Sequence, residues 1–368
     1  MTQSTSRTRP DLVDFEATRR TAESLVSEGV HAGLQVAVMR LGEELANFAV
    51  GVEHGGDRVS PRNLHYLSCA SKPALALAVA ALVDRGTLSF DDRVTEYLEL
   101  SLPDDWHDVT LGDLSAHSAG AHADRYWREF HVSPDDAFAL IAGRPPRRQD
   151  DGRLAIAYSA WQSWFLMRLV IERVAGEPVD AFVRSTVFAA YGTEDLWMVM
   201  SSSEHAAHNA RLKPLSWPGL PGDVFDSPNH AQSILLDCSC HGTALALARL
   251  YDGLLRDCNG AALLLSREMA HMALDSASAG YDWNWECDVS RSRLGFITIP
   301  GYFGLRAKTA AGTEALRYAI GFADRSSGIA VGWVATSHAP DHVPYAVVRD
   351  RLSRAISEDL HGAATISE

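Results

Sequence analysis

The sequence predicts an α+β fold: an antiparallel sheet flanked by helices, with an all-helical segment inserted. Three observations carry this. Apolar strand-like runs lie near both ends, at Leu34–Met39, Leu45–Val52 and Gly328–Thr336. Helical patterning fills the middle. The chain has 368 residues, 46% of them hydrophobic, enough for a full core and for about two domains at ~150 residues each. Strands at both ends can form one sheet with the middle as an insertion. The expected division is a flexible tail over 1–14, a sheet domain from 15–66 and 230–368, and a mainly helical domain over 67–229.

The elements follow in order. A helix is expected over Phe15–Glu28, ending before Gly29. Two strands, Leu34–Met39 and Leu45–Val52, flank a turn at Leu41-Gly42-Glu43, where glycine supplies positive φ. Lys72–Arg85 is rich in Ala and Leu, with Pro73 early and Gly86 as its stop. A short helix runs from Asp91 toward Tyr97. Thr110 is a good N-cap for Leu111–Ala116. Ser133-Pro134-Asp135-Asp136 has capping-box spacing and opens another helix. Trp161–Ala175 is apolar at helical spacing and stops at Gly176. Pro214–Asn229 is loop-like, and Ala244–Leu255 is helical. Gly295–Ile299, Gly301–Lys308, Ala315–Ala323 and Gly328–Thr336 are expected strands, the last two joined by a turn at Asp324–Gly328. A helix over Val343–Leu360 closes the chain.

Composition narrows the function. There are 33 Lys+Arg against 47 Asp+Glu, a net charge of −14. Nucleic acid binding needs clustered Lys and Arg, and an anionic membrane surface needs basic charge, so both partners are excluded. The basic knot Arg144–Arg148 is short and Pro-rich. No apolar run approaches the ~18 residues of a membrane span. Five cysteines, an odd number, do not form a disulfide framework. Met1–Asp14 carries no apolar segment of a secretory signal, so the expected location is cytoplasmic.

Three short stretches could carry chemistry. Cys69-Ala70-Ser71-Lys72 opens the strongest helix, and residues three apart share a helix face. A thiol there meets the positive end of the helix and a lysine, the setting of a nucleophile. A buried cysteine can also be a small hydrophobe. Tyr158-Ser159-Ala160 precedes a helix, where a tyrosine can act as a general base or pack its ring. Lys308-Thr309-Ala310-Ala311 lies on a late strand, whose edge can bind a carbonyl or simply be blunted by charge. Cys238-Ser239-Cys240-His241 has no second ligand cluster to complete a zinc site, so no metal is expected. Tyr281, Trp283, Trp285, Trp161 and Trp164 are core by default.

In this order, the three stretches resemble the motifs of the penicillin-recognising serine hydrolases, especially the class C β-lactamase branch with its esterases and acyltransferases. That family runs Ser-x-x-Lys, then Tyr-x-Asn or a variant, then Lys-Thr-Gly or His-x-Gly. Leu111–Gly120 resembles its His-containing segment, Glu172–Gly176 a helix end, and Phe322–Asp324 with Gly328–Val331 its last hairpin. The resemblance spans roughly residues 15–358. It implies a β-lactamase/transpeptidase-like fold with the site between sheet and helical insertion. It further implies Cys69 as nucleophile, Lys72 and Tyr158 as the proton-shuttling pair, and Lys308 tuning Tyr158 and holding substrate. The backbone N–H groups of Cys69 and Ala311 would form the oxyanion hole. Thr309, Ala310, Trp161, Tyr126 and Trp127 would contact substrate, and His117 would be a hydrogen-bonded structural residue. No cofactor is implied.

The departures bear on activity. Cys stands where the family has Ser, either as a natural thiol or as a replacement that traps an acyl intermediate. Ala160 replaces the motif's Asn and Ala310 its Gly, which weakens a β-lactamase reading. A thioester is attacked by amines more readily, relative to water, than an oxygen ester is. The expected activity is therefore transfer of an acyl group from a small-molecule ester or amide to an amine. The nearest activities are lovastatin-type side-chain acyltransferases and amide-forming transacylases of capuramycin-type antibiotic pathways, without a diagnostic motif for either. An esterase and a catalytically silent binding protein are the alternatives.

Overall fold

The structure is a computed structural model that describes residues 15–98, 102–122, 133–216, 240–304, 309–315 and 317–362. Its main sheet runs in the order β2-β1-β10-β9-β8. The strands are β1 (Gly33–Arg40), β2 (Glu43–Gly51), β8 (Ala310–Ala315), β9 (Ala319–Asp324) and β10 (Ile329–Ala335). All pairings are antiparallel, and β1 joins the chain ends by pairing Leu34 with Ala335 through Arg40 with Ile329. Among the described residues, two minor sheets complete the strands. One holds β3 (His65–Tyr66), β4 (Leu196–Trp197) and β5 (His241–Gly242), and the other is the hairpin β6 (Ser276–Asp282) to β7 (Cys287–Ser292).

The helices are α1 (Glu16–Ser27), α2 (Lys72–Asp84), α3 (Val94–Tyr97), α4 (Leu111–Ser115), α5 (Pro134–Ala142), α6 (Gln162–Ala175), α7 (Val179–Val183), α8 (Ala189–Tyr191), α9 (Ser202–His208), α10 (Ala244–Cys258), α11 (Arg267–Leu274) and α12 (Tyr345–Gly362). Helix α10 lies on β10, β1 and β9, while α1 packs on β1, β2 and α12. Covering both faces explains why β9 and β10 are buried at every residue and read as continuous apolar runs. Gly332 makes the close approach possible, because a Cβ there would strike the carbonyl of Ala244. Helix α2 is buried along nearly its whole length, from Lys72 to Leu82. It is therefore an internal helix packed against α6.

Three strand expectations are corrected. Ala315–Ala323 is two strands, because the chain turns between Ala315 and Ala319 with Arg317 at φ 69°. Leu316-Arg317-Tyr318 holds no Gly, Pro, Asn or Asp, so no sequence signal marks the turn. Residues 301–304 form a turn closed by Gly304 N–H donating to the Gly301 carbonyl at 3.0 Å, where a strand was expected. From Gly295 to Ile299 only Ile297 is paired, bridging Arg291 and Gly312. Pro214–Asn229 lies outside the described residues beyond Ser216. Among the described residues no helix is long and apolar enough to cross a membrane.

Buried histidines couple this core to pH. Burial holds His31 at about 4 and His65 at about 3, below the ordinary 6.5. Such groups stay neutral in the fold while the unfolded chain takes up protons. Their stabilisation is complete above about pH 6.5 and is lost as pH falls toward about 4 and 3 respectively. Glu53, whose carboxyl lies 3.6 Å from His65, is raised by burial and acts in the opposite sense, offsetting part of the loss. The unfolding free energy at pH 5 is expected to fall below that at pH 7, with on the order of 2 kcal/mol lost through each histidine. Urea titrations at the two pH values measure this, and equal stabilities would refute it.

Candidate active site

Cys69 sits in a 3₁₀ turn, Ser68–Ser71, that runs straight into α2. The turn is fixed on both sides. Ser71 Oγ donates to the Ser68 carbonyl at 2.6 Å, and Thr313 Oγ1 on β8 donates to the Ala70 carbonyl at 3.2 Å. Ser68, just before the thiol, has φ 42°. A non-glycine residue there costs about 1–2 kcal/mol, which the buried turn must supply. The result points Cys69 Sγ toward two donors: Lys72 Nζ at 3.4 Å and Ser68 Oγ at 3.7 Å.

Lys72 is buried at the first position of α2, with 3% of its surface exposed. Its Nζ also donates to the Ala160 carbonyl at 2.7 Å. One ammonium thus joins the nucleophile turn to the segment that carries Tyr158. That Nζ is 5.6 Å from the Tyr158 ring centroid. Cys69, Lys72 and Tyr158 are therefore assembled around one point.

His117 supports Tyr158 from behind. The two rings stack at 4.6 Å, and His117 Nδ1 accepts the Ser159 N–H at 2.9 Å, the structural role expected of it. Burial, with the nearby charges of Arg291 and Lys72, holds His117 well below its ordinary value. It is neutral, with its proton assigned to Nε2 by the hydrogen bond that Nδ1 accepts.

The remaining expected residues are less central. Ala311 lies opposite Ala323 on β8, and Ala310 opposite Asp324. The Thr309 hydroxyl donates to Asp324 Oδ1 at 2.8 Å, so its side chain ties off the start of the strand. Trp161 is 1% exposed and packs edge-on against Phe165. Trp164 and Trp285 line the cleft beside Lys72, His117 and Tyr158, with Thr313 and Glu314 from β8. Lys308, Tyr126 and Trp127 lie outside the described residues. Of the Cys238–His241 stretch, Cys240 is buried with its thiol 3.4 Å from Met198 Sδ, and no group of described residues could hold a metal ion.

Sequence reasoning missed the β6–β7 hairpin and read Tyr281 and Trp283 as core, whereas both are exposed on it. It brings Asp282, Asn284, Trp285 and Arg291 to Tyr158. Asp282 accepts the Tyr158 N–H at 3.1 Å, and Asn284 Nδ2 donates to the Tyr158 carbonyl at 2.8 Å. The hairpin's Ser- and Gly-rich strand, Ser276–Asp282, has no apolar alternation to announce it.

Known proteins agree with this layout. The esterase EstB of Burkholderia gladioli is 31% identical over 206 residues, 50% of this chain and 52% of that protein. The chain thus matches about half the length of that relative. A family VIII carboxylesterase has the same fold, with a TM-score of 0.79 at 19% identity, covering 94% of this chain and 97% of that one. EstCE1, described as a hydrolase with promiscuous acyltransferase activity, superposes with a TM-score of 0.69 at 17% identity, covering 92% and 98%. At those identities the two structures speak for the fold alone. The family model described as Beta-lactamase matches residues 18–352, from α1 to the last helix. With that match spanning the whole architecture, the chain belongs to the beta-lactamase family.

Proposed function

We propose that the protein is an acyl-enzyme catalyst that moves an acyl group from a small-molecule ester or amide to an amine, through a thioester on Cys69. The observation that carries this is the contact of the Cys69 thiol with Lys72 Nζ at 3.4 Å, at a helix start beside Tyr158. Sγ attacks the substrate carbonyl, and the thiol proton passes to the Lys72–Tyr158 pair. The carbon–oxygen or carbon–nitrogen bond then breaks, and the departing group takes that proton. An amine attacks the thioester, gives up a proton to the same pair, and regenerates the thiol. The N–H groups of Cys69 and Ala311 hold the oxyanion, with Lys308 tuning Tyr158 and Thr309 and Ala310 forming the substrate edge. The setting is cytoplasmic secondary metabolism. The esterase activity of EstB supports ester chemistry on this scaffold.

The test is intact-mass analysis after incubation with an activated ester, with and without a primary amine. The expected result is a Cys69-linked acyl adduct that the amine discharges faster than water does. An adduct that water clears equally fast makes the protein an esterase. Ligand binding without any adduct makes it a silent binder.

A further inference from the structure

Beneath the cleft lies a buried ion pair that none of the three motifs supplies. Arg291 on β7 and Asp282 at the end of β6 are 1% and 0% exposed, and Arg291 Nη1 donates to Asp282 Oδ2 at 2.7 Å. The carboxylate is crowded with donors. It also accepts the backbone N–H groups of Tyr158, Asn284 at 2.8 Å and Trp285 at 3.0 Å. The guanidinium is the opposite case: its Nε and Nη2 are buried without a hydrogen-bond partner. It faces two aromatic rings, with Cζ 4.7 Å from the Trp285 centroid and 5.6 Å from that of Tyr158.

Burying a guanidinium this way is costly unless negative charge compensates it. Asp282 is shared among four donors and offsets the cation only in part. The remaining positive potential falls on the π faces and on any charge that Tyr158 acquires. Among the described residues, the other charged or titratable groups around Tyr158 are Lys72 and Cys69 from the α2 side and neutral His117 after α4; Lys308, proposed above to tune Tyr158, lies outside them. Glu314 on β8 lines the same cleft and is engaged by Arg349 at 2.7 Å and Tyr302 at 2.6 Å.

We infer that Arg291, anchored by Asp282, is a positioning residue that fixes the Tyr158 ring and stabilises its phenolate, as a further cation besides the lysines of the motifs. This rests on Tyr158 handling the proton in the proposed reaction. With Arg291 in place, the phenolate takes the Cys69 thiol proton as Sγ attacks, and returns it to the leaving group.

Tyrosinate absorbance near 295 nm reads this without any substrate. The pH titration of the protein minus that of Tyr158→Phe isolates Tyr158. Arg291→Met is expected to move that titration to higher pH by about one unit. Arg291→Lys keeps the cation and is expected to leave it nearly in place. Arg291→Gln, which retains a donor for Asp282 without the charge, guards against misfolding of the Met variant and is expected to shift as Met does. An unchanged titration in a folded Met or Gln variant, judged by circular dichroism, overturns the inference. Full turnover in Tyr158→Phe would instead overturn the proton-shuttle reading and leave the titration result standing.

Discussion

Cys69→Ala is expected to lose acyl-adduct formation completely and to lower turnover at least about 10³-fold. Enzymes that pass through a covalent intermediate keep only residual rate when the nucleophile is removed, because orientation and oxyanion contacts remain. The loss should not come from unfolding. Cys69 is buried, yet only one sulfur atom is removed, and the turn keeps its bonds through Ser71 and Thr313. Its stability cost should stay near 1 kcal/mol. Mass spectrometry and steady-state rates measured on a variant with an unchanged melting transition decide the point. Turnover within tenfold of the parent protein would remove Cys69 from the chemistry. The companion variant Cys69→Ser separates the two origins of the cysteine. A natural thiol predicts slower transfer to amine from the serine ester. Faster turnover with serine would mark the cysteine as a trapping replacement.

Lys72→Met is the second large effect. The methionine keeps most of the aliphatic volume of a side chain that is 3% exposed, and it removes the charge and both donor contacts. Loss of a positioned proton handler lowers rates about 10²–10⁴-fold. The effect on stability has two opposing parts. The Ala160 carbonyl loses its ammonium donor, which costs about 1–3 kcal/mol. The variant no longer buries a cation, which offsets some of that cost. A small net change in unfolding free energy with a large fall in kcat is therefore expected. Acylation of Lys72→Met at the parent rate, followed by stopped flow with an activated ester, would refute the role.

Much of the fold was legible because helix ends carry local chemistry. Thr110 forms a capping box with Asp113, Ser133 caps α5, and Gly176 ends α6 at φ 71°. The Cys69–Lys72 contact was legible for the same reason, since three-residue spacing on a helix start is a local fact. Contacts that depend on distant pairing were not. Asp282 reaches Tyr158 across 124 residues, and the strand that delivers it looks like a polar loop. The aromatic lining also depended on helix phase. Trp161 stands just before α6 and turns into the core, while Trp164, inside it, reaches the cleft. The β8–β9 turn escaped notice because its positive-φ position is Arg317, a residue with no turn preference.

The pairing of β1 with β10 sets the order in which this molecule can come into being on the ribosome. Leu34 is synthesised long before its partner Ala335. Thr18 likewise waits for Asp359, which its hydroxyl and N–H both reach. Such long-range closure makes folding slow and delays it until the distant partners have been made. The thiol of Cys69 and its lysine emerge long before β6, β7 and β8 exist to wall the cleft. A nascent chain therefore displays the reactive pair before the strands that enclose it exist.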